Sequence, residues 1–424
     1  MSPELTSLHE LAYYVREQVG VKECDPRTYV STESMVPNKG GITVPGSIPT
    51  SGKVSKYHSG DVLLSNIRPY YRKIWKADCD GCCSTDVLVI RAKDSRLSDY
   101  LFAVLSDERF FDYVMQGSKG TKMPCGDKNQ ILNYQIIKTD TTSMNNIGFL
   151  DSLILNNIRT IEAINDNLDK HLTILFNNLF KQDGVDNYSK LWNYCDVQKG
   201  LSYKGSGLAD NGVLLINLGN IMPGGGYRKD KDKFYTGEYK SKHVVKPGDI
   251  IIANTDMTYD RAILGSPIIV PNHHGDIIFT HHLFAFRDVK LPKSYLYYYL
   301  RTGEFHGLCE SSANGTTVLA INREDVLNAD IPIPDEKKLA LFDSIASKEL
   351  ELISNLNEEI EHLINLRDYL IPNLLSGEID VSTLTLPTKY SFGRLLGYVL
   401  LMSVLHILLI YHGIVERCID PYVS

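Results

Sequence analysis

The sequence predicts an α+β chain built twice, each globular domain being followed by one long coiled-coil helix. Three observations carry this. Phe149–Lys181 places Ile154, Ile158, Ile161, Leu168, Leu172, Leu175 and Leu179 at alternating steps of four and three, a heptad seam with one polar position, Asn165. Leu341–Leu375 carries the same device, with Leu350, Ile353, Ile360, Ile364 and Ile371 on the seam and Asn357 at the polar break. Short segments ahead of each helix also recur at a nearly constant offset, the mark of an internal repeat.

The bulk composition fits this reading. A chain of 424 residues with 43% apolar and 22% charged residues can bury two ordinary cores. A formal charge of −7 argues mildly against a protein that binds nucleic acid alone, because phosphate neutralisation supplies much of that affinity. Partner subunits can supply the missing charge. Eight cysteines without a secretory leader point to a reducing cytoplasm and not to a disulfide framework.

In chain order, the first domain opens with Pro/Gly punctuation between Pro37 and Gly52, expected to be β structure with long loops. Strands are expected at Asp61–Ser65 and Asp86–Arg91, a helix at Ser98–Met115, and a polar turn at Gly117–Thr121. After the first heptad helix the order returns. Gly248–Asn254 (GDIIIAN) answers Gly60–Asn66 (GDVLLSN) at an offset of 188, and Thr280–Arg287 answers Ser84–Arg91 at 196. Ser294–Leu300 answers Asp99–Leu105, and Ala313–Thr317 answers Ser118–Lys122, both at 195. The offset drifts where the copies differ most, Ile67–Cys83 against Thr255–Phe279. Such divergence inside a common frame is expected of two scaffolds that read different targets.

These paired GD-strand segments, the (S/A)xGT(K/T) turns, the two long helices, and the phrases Ile331–Asp335 (IPIPD) and Leu370–Ile379 (LIPNLLSGEI) resemble a specificity subunit of type I restriction–modification systems, over residues 1 to about 380. The resemblance implies an α+β fold of two repeated target recognition domains joined by two long antiparallel coiled-coil helices. It implies recognition domains over 1–145 and 184–336, a central helix over 146–183, a distal helix over 337–380 and an apolar extension over 381–424. Each domain would read half of a bipartite site in double-stranded DNA. Methyltransferase (M) subunits and restriction endonuclease/translocase (R) subunits would dock on the helices, in a cytoplasmic complex serving phage defence. A helix of roughly 30 residues is about 45 Å long, on the order of 13 base pairs, so two separated half-sites are within its reach. Antiparallel pairing would bring Asn165 and Asn357 together near a pseudo-two-fold, fixing register at some cost in stability; the alternative is that both lie off the seam in solvent.

Reading DNA needs cations for phosphates and planar or amide groups for base edges. Arg68–Lys76 (RPYYRKIWK) offers Arg68, Arg72, Lys73 and Lys76 among Tyr70, Tyr71 and Trp75, unless it is simply an exposed amphipathic hairpin. Arg228–Lys242 holds six cations, including Arg228, Lys229 and Lys231, against three acids; a solvated charged loop is the plain alternative. Ser65 and Asn66, with Asn254 and Thr255, end matching strands and could face bases; Tyr259 and Arg261 follow in the second insert. The two turns add Lys119, Lys122, Thr316 and Thr317, either holding phosphate or capping the next element.

Catalytic signatures are missing from the sequence. It has no GxxxxGK(S/T) loop for nucleotide hydrolysis and no (D/N)PP(Y/F) run for adenine methylation, and no acid-x-lysine follows Pro334–Asp335 at nuclease spacing. Cys79, Cys82 and Cys83 form half of a zinc knuckle without the other half. His273, His274, Asp276, His281 and His282 make a metal-like cluster, but strand alternation would send His281 and His282 to opposite faces. The expectation is a protein without active site, metal or cofactor. The alternatives are a coiled-coil protein-binding scaffold, or an enzyme using the histidine cluster. Leu395–Val415 is long and apolar enough to span a bilayer. An anchor suits a DNA-reading subunit poorly, so a non-ancestral extension is the preferred expectation.

Overall fold

The computed structural model describes residues 4–44, 48–118, 123–180, 187–257, 261–315, 318–382 and 384. The chain mixes sheet with helix and packs as two compact units. One holds the described residues up to Thr160 together with those from Ile360 onward, and the other holds Ile161–Glu359. Two 40-residue helices, Thr141–Phe180 and Glu336–Leu375, each contribute one part to each unit.

The first unit has a four-stranded antiparallel sheet in the order Ala12–Tyr14, Val87–Ala92, Val62–Ser65, Ile74–Lys76. A second sheet orders Gln18–Gly20, Lys53–Tyr57, Gly81–Cys83 and Tyr29–Val30, the last pair parallel. Strand Val62–Ser65 is buried along its whole length, which is why Val62–Leu64 reads as a continuous apolar run and not as an alternating one. The second unit orders Asp196–Lys199, Leu283–Arg287, Ile250–Ala253 and Pro267–Ile269 in an antiparallel sheet. A five-stranded sheet beside it contains one parallel pair, Val213–Ile216 with Ile277–Phe279.

The glycine–aspartate phrases do the same work in both units. Gly60 and Gly248 take φ of 92° and 80°, the left-handed region that glycine enters without steric cost. The next residue, Asp61 or Asp249, accepts the backbone N–H of His58 or Lys246 and pairs with an arginine on the neighbouring strand. Arg91 grips buried Asp61 with two bonds of 2.6 and 2.7 Å. Arg287 reaches Asp249 at 3.5 Å, and Lys293 approaches the same carboxylate to 2.9 Å.

Several elements depart from the expected boundaries. The first long helix begins at Thr141, eight residues before Phe149, with Asp140 accepting from Ser143 N–H at 3.0 Å. Gly148 interrupts the apolar pattern but not the helix: a Cβ there would lie 2.4 Å from the backbone nitrogen of Tyr100, so only glycine permits that approach. The helix expected over Ser98–Met115 is two, Ser98–Ser106 and Glu108–Gln116, broken where extended Asp107 caps the second through Arg109 N–H. Beyond Ile360 the buried stripe on the second long helix widens: the seam residue Ile371 is buried together with Leu363, Arg367, Leu370 and Leu374, whereas Ile364 is exposed. A helix of 3.6 residues per turn drifts against a strict seven-residue repeat, and a buried arginine is invisible to an apolar count. The region Leu395–Val415 lies outside the described residues; among those described, no helix is long and apolar enough to cross a membrane.

Candidate nucleic-acid interface

Each unit contains a hairpin whose connection carries the divergent insert. In the first, Leu64 pairs with Ile74 across the hairpin, and residues 66–73 connect the strands. Pro69–Tyr71 forms a single 3-10 turn bracketed by Arg68 and Arg72, both at φ 51°. Left-handed backbone is unfavourable for such side chains and persists only where the surroundings impose it. Here a second loop imposes it: Asn38 N–H donates to Tyr71 O at 2.8 Å, and Lys39 N–H to Arg72 O at 2.9 Å. Asn38 and Lys39 are themselves left-handed, so four of the six non-glycine residues with positive φ among those described meet at this one place.

The arch holds Tyr70 and Tyr71 in solvent, with ring centroids 4.6 Å apart. Its cations differ in what they are bound to. Arg72 Nε and Lys39 Nζ converge on Glu108 at 3.0 and 2.9 Å. Lys73 Nζ donates to Thr32 O at 2.6 Å and lies 5.8 Å from the Tyr71 ring centroid. Lys76 pairs with Asp99. Arg68 and Lys73 have no ion pair among the described residues; Lys73 is nonetheless held by the Thr32 carbonyl, whereas Arg68 Nε is buried without a hydrogen-bond partner. Trp75 belongs to the core, edge-on to Tyr57 at 5.8 Å, and is no part of the exposed aromatic set. Ser65 is buried and bonded to Ile67 O; the half-buried Asn66 has an unpartnered Oδ1.

In the second hairpin Ile252 pairs with Pro267, and residues 254–266 connect the strands. Asn254 and Thr255 are buried and committed internally: Asn254 Nδ2 donates to His281 O at 3.1 Å, and Thr255 Oγ1 shares a hydrogen bond with His282 Nδ1 at 3.0 Å. Buried Asp256 accepts the N–H groups of Ile263 and Leu264 at 2.7 and 3.0 Å and so shapes the turn. Arg261, at φ 57°, is exposed just ahead of that turn, with no ion pair among the described residues. Arg228 and Lys231 both pair with Asp230, at 3.3 and 3.0 Å, and Lys229 lies between them in the same short turn. Burial alone would raise the Asp230 carboxyl, but the hydrogen bonds and charges of Lys231 and Arg228 outweigh it and hold it below the usual carboxylate range. Lys119, Lys122, Tyr259, Thr316 and Thr317 lie outside the described residues.

His281 and His282 do not alternate across a strand. They sit in a turn before Leu283–Arg287, with ring centroids 3.9 Å apart, because alternation needs extended backbone that this position lacks. Among the described residues, no three His, Cys, Asp or Glu side chains gather to hold a metal ion. On the long helices, Asn165 Nδ2 donates to Asn357 Oδ1 at 2.9 Å, and His171 Nδ1 meets Glu349 Oε2 at 2.9 Å. Partner numbers fall on one helix as they rise on the other. Sequence reasoning missed Asn38 and Lys39: the Asn-Lys-Gly-Gly run reads as punctuation, and only its contact with Tyr71 and Arg72 gives it a role.

No family model matches the chain. The chain is 26% identical over 333 residues to the type I restriction enzyme MjaVIII specificity subunit of Methanocaldococcus jannaschii, covering 72% of this chain and 76% of that protein. The crystal structure of the type I restriction–modification S subunit from M. genitalium superposes with a TM-score of 0.56 at 12% identity, covering 88% of this chain and 99% of that one. The second likeness is one of fold. The resemblance to type I specificity subunits carried by the sequence is thus shared by a curated relative, and the fold by a solved S subunit.

Proposed function

We propose that this chain is the DNA-specificity subunit of a type I restriction–modification complex and performs no catalysis itself. The observation that carries the reading is the likeness to a specificity subunit across 72% of the chain. In this reading each unit, with its own hairpin insert, reads one half of a bipartite duplex target. The two long helices pair antiparallel as a coiled coil, act as spacer, and offer the docking surface for methyltransferase and endonuclease subunits in the cytoplasm. The Asn165–Asn357 hydrogen bond would fix their register, as a polar pair in an apolar seam can.

A protein-binding scaffold is the competing reading. It draws on the net charge of −7 and on the internal pairing of Arg72, Lys73 and Lys76. Two measurements separate them. Duplex binding by the assembled complex should weaken steeply with salt, because each neutralised phosphate releases counterions. Methylome sequencing of a host expressing the chain with its methyltransferase subunit should return a split, gapped motif. Salt-insensitive binding, or a single ungapped motif, would count against the proposal.

A further inference from the structure

The two hairpin inserts differ in length and composition, but they place one residue alike. Arg68 and Arg261 each stand six residues ahead of the returning strand, Ile74–Lys76 in one unit and Pro267–Ile269 in the other. Those strands pair with their partners in matching register, Leu64 with Ile74 and Ile252 with Pro267. Each arginine is left-handed, at 51° and 57°. Each carbonyl accepts the N–H three residues on, from Tyr71 at 3.0 Å and from Leu264 at 3.3 Å, so each arginine opens the tight turn of its insert. Neither has an ion pair among the described residues, although neighbouring Arg72, Lys73 and Lys76 are engaged.

The physical consequence is specific. A cation already bound to a carboxylate must exchange that partner before it can contact DNA, whereas an unpaired guanidinium need not. Backbone held in a sparsely populated conformation also limits where the side chain can start from. A planar guanidinium with two parallel donors matches the O6 and N7 acceptors of guanine in the major groove, and a lysine ammonium cannot reproduce that fork. We infer that Arg68 and Arg261 are specificity-determining residues, each reading a guanine in the half-site of its own unit. This rests on the DNA-specificity reading above and assigns it a base and a residue.

The test is methylation by the full complex on a duplex library randomised at both half-sites, comparing the wild-type chain with Arg68→Lys and Arg261→Lys. Lysine keeps the charge and removes the fork. Arg68→Asn and Arg261→Asn serve as second variants, since asparagine tolerates left-handed backbone and a folding defect is thereby separated from a recognition defect. The expected result is a loss of discrimination on the order of 10- to 100-fold at one guanine, in one half only, with each arginine affecting a different half. Unchanged preferences, an equal loss at every position, or loss in both halves from one substitution would overturn the inference, as would a wild-type half-site with no G·C pair. If the wild-type complex itself gives no bipartite motif, the specificity reading fails, and the variants are not needed to see it.

Discussion

In both units an arginine bridges a long helix and the domain beside it and also bonds an aspartate on the first long helix, Asp151 or Asp169, but the arginine comes from different places. In the first unit Arg367, on the second long helix, donates to Asp151 Oδ1 at 2.7 Å and to Ser106 Oγ at 2.8 Å. In the second, Arg301 follows the short helix Lys293–Leu300 and pairs with Asp169 on the first long helix, where Tyr298 O–H adds a bond of 2.9 Å. Ser106 and Arg301 occupy equivalent places in their domains, at the offset of 195 that relates the helices. The linkage is kept while the residue types exchange. What the position demands is a polar connection between helix and domain, and either side can supply the arginine.

The two junctions should differ in how badly they fail. Asp151 and Arg367 are almost wholly buried, with side chains 1% and 10% exposed. Arg367→Met strands a carboxylate away from water and should cost about 3–5 kcal/mol of stability, read as a shift in urea midpoint. Adding Asp151→Asn should recover part of that loss, because the stranded charge disappears. The Asp169 side chain is 36% exposed and can rehydrate, so Arg301→Met should cost less, about 1–2 kcal/mol after allowing for screening. Equal losses at the two sites would break the comparison. Arg301 Nε also donates to Gly224 O, so its removal should raise hydrogen exchange in the glycine turn at 224–226.

A smaller effect is expected at the asparagine pair. Replacing Asn165 and Asn357 together by leucine should raise thermal stability modestly while admitting other helix pairings, seen as mixed species on size-exclusion chromatography. A single species of unchanged stability would remove the register role.

The smallest effect concerns pH. In the second unit burial, with the charges of His281 and Lys199, holds His282 below the ordinary histidine range; burial leads likewise at His243 and His273. The unfolded chain then binds these protons more readily than the native one. Their contribution is therefore fully present above about pH 6.5 and is lost as pH falls below it. His282→Gln should flatten part of that decline in a urea midpoint series from pH 7.5 to 5.5. A steeper decline in the variant would contradict the sign.

Much of the architecture can be read along the chain because it rests on local free energies. Alternating three- and four-residue steps need a helix, a Gly-Asp pair needs a left-handed turn and a carboxylate cap, and the same phrases 188 to 196 residues apart occupy the same kind of strand. The interface was less legible. Trp75, Asn254 and Thr255 look available in sequence, yet each finds a partner far along the chain, in Tyr57, His281 and His282. Past Ile360 the helix buries Arg367 against Asp151 in addition to Ile371, a pairing that no apolar count contains.

By itself, then, the sequence determined the two long helices, their asparagines, the GD strands and the family resemblance. Tertiary structure decided which cations are already engaged. Whether Arg72 has a carboxylate beside it depends on where Glu108 lands, and Arg68, four residues earlier in the same arch, has no ion pair among the described residues. Charge partners are chosen in space, by desolvation and distance, and composition along the chain does not encode them.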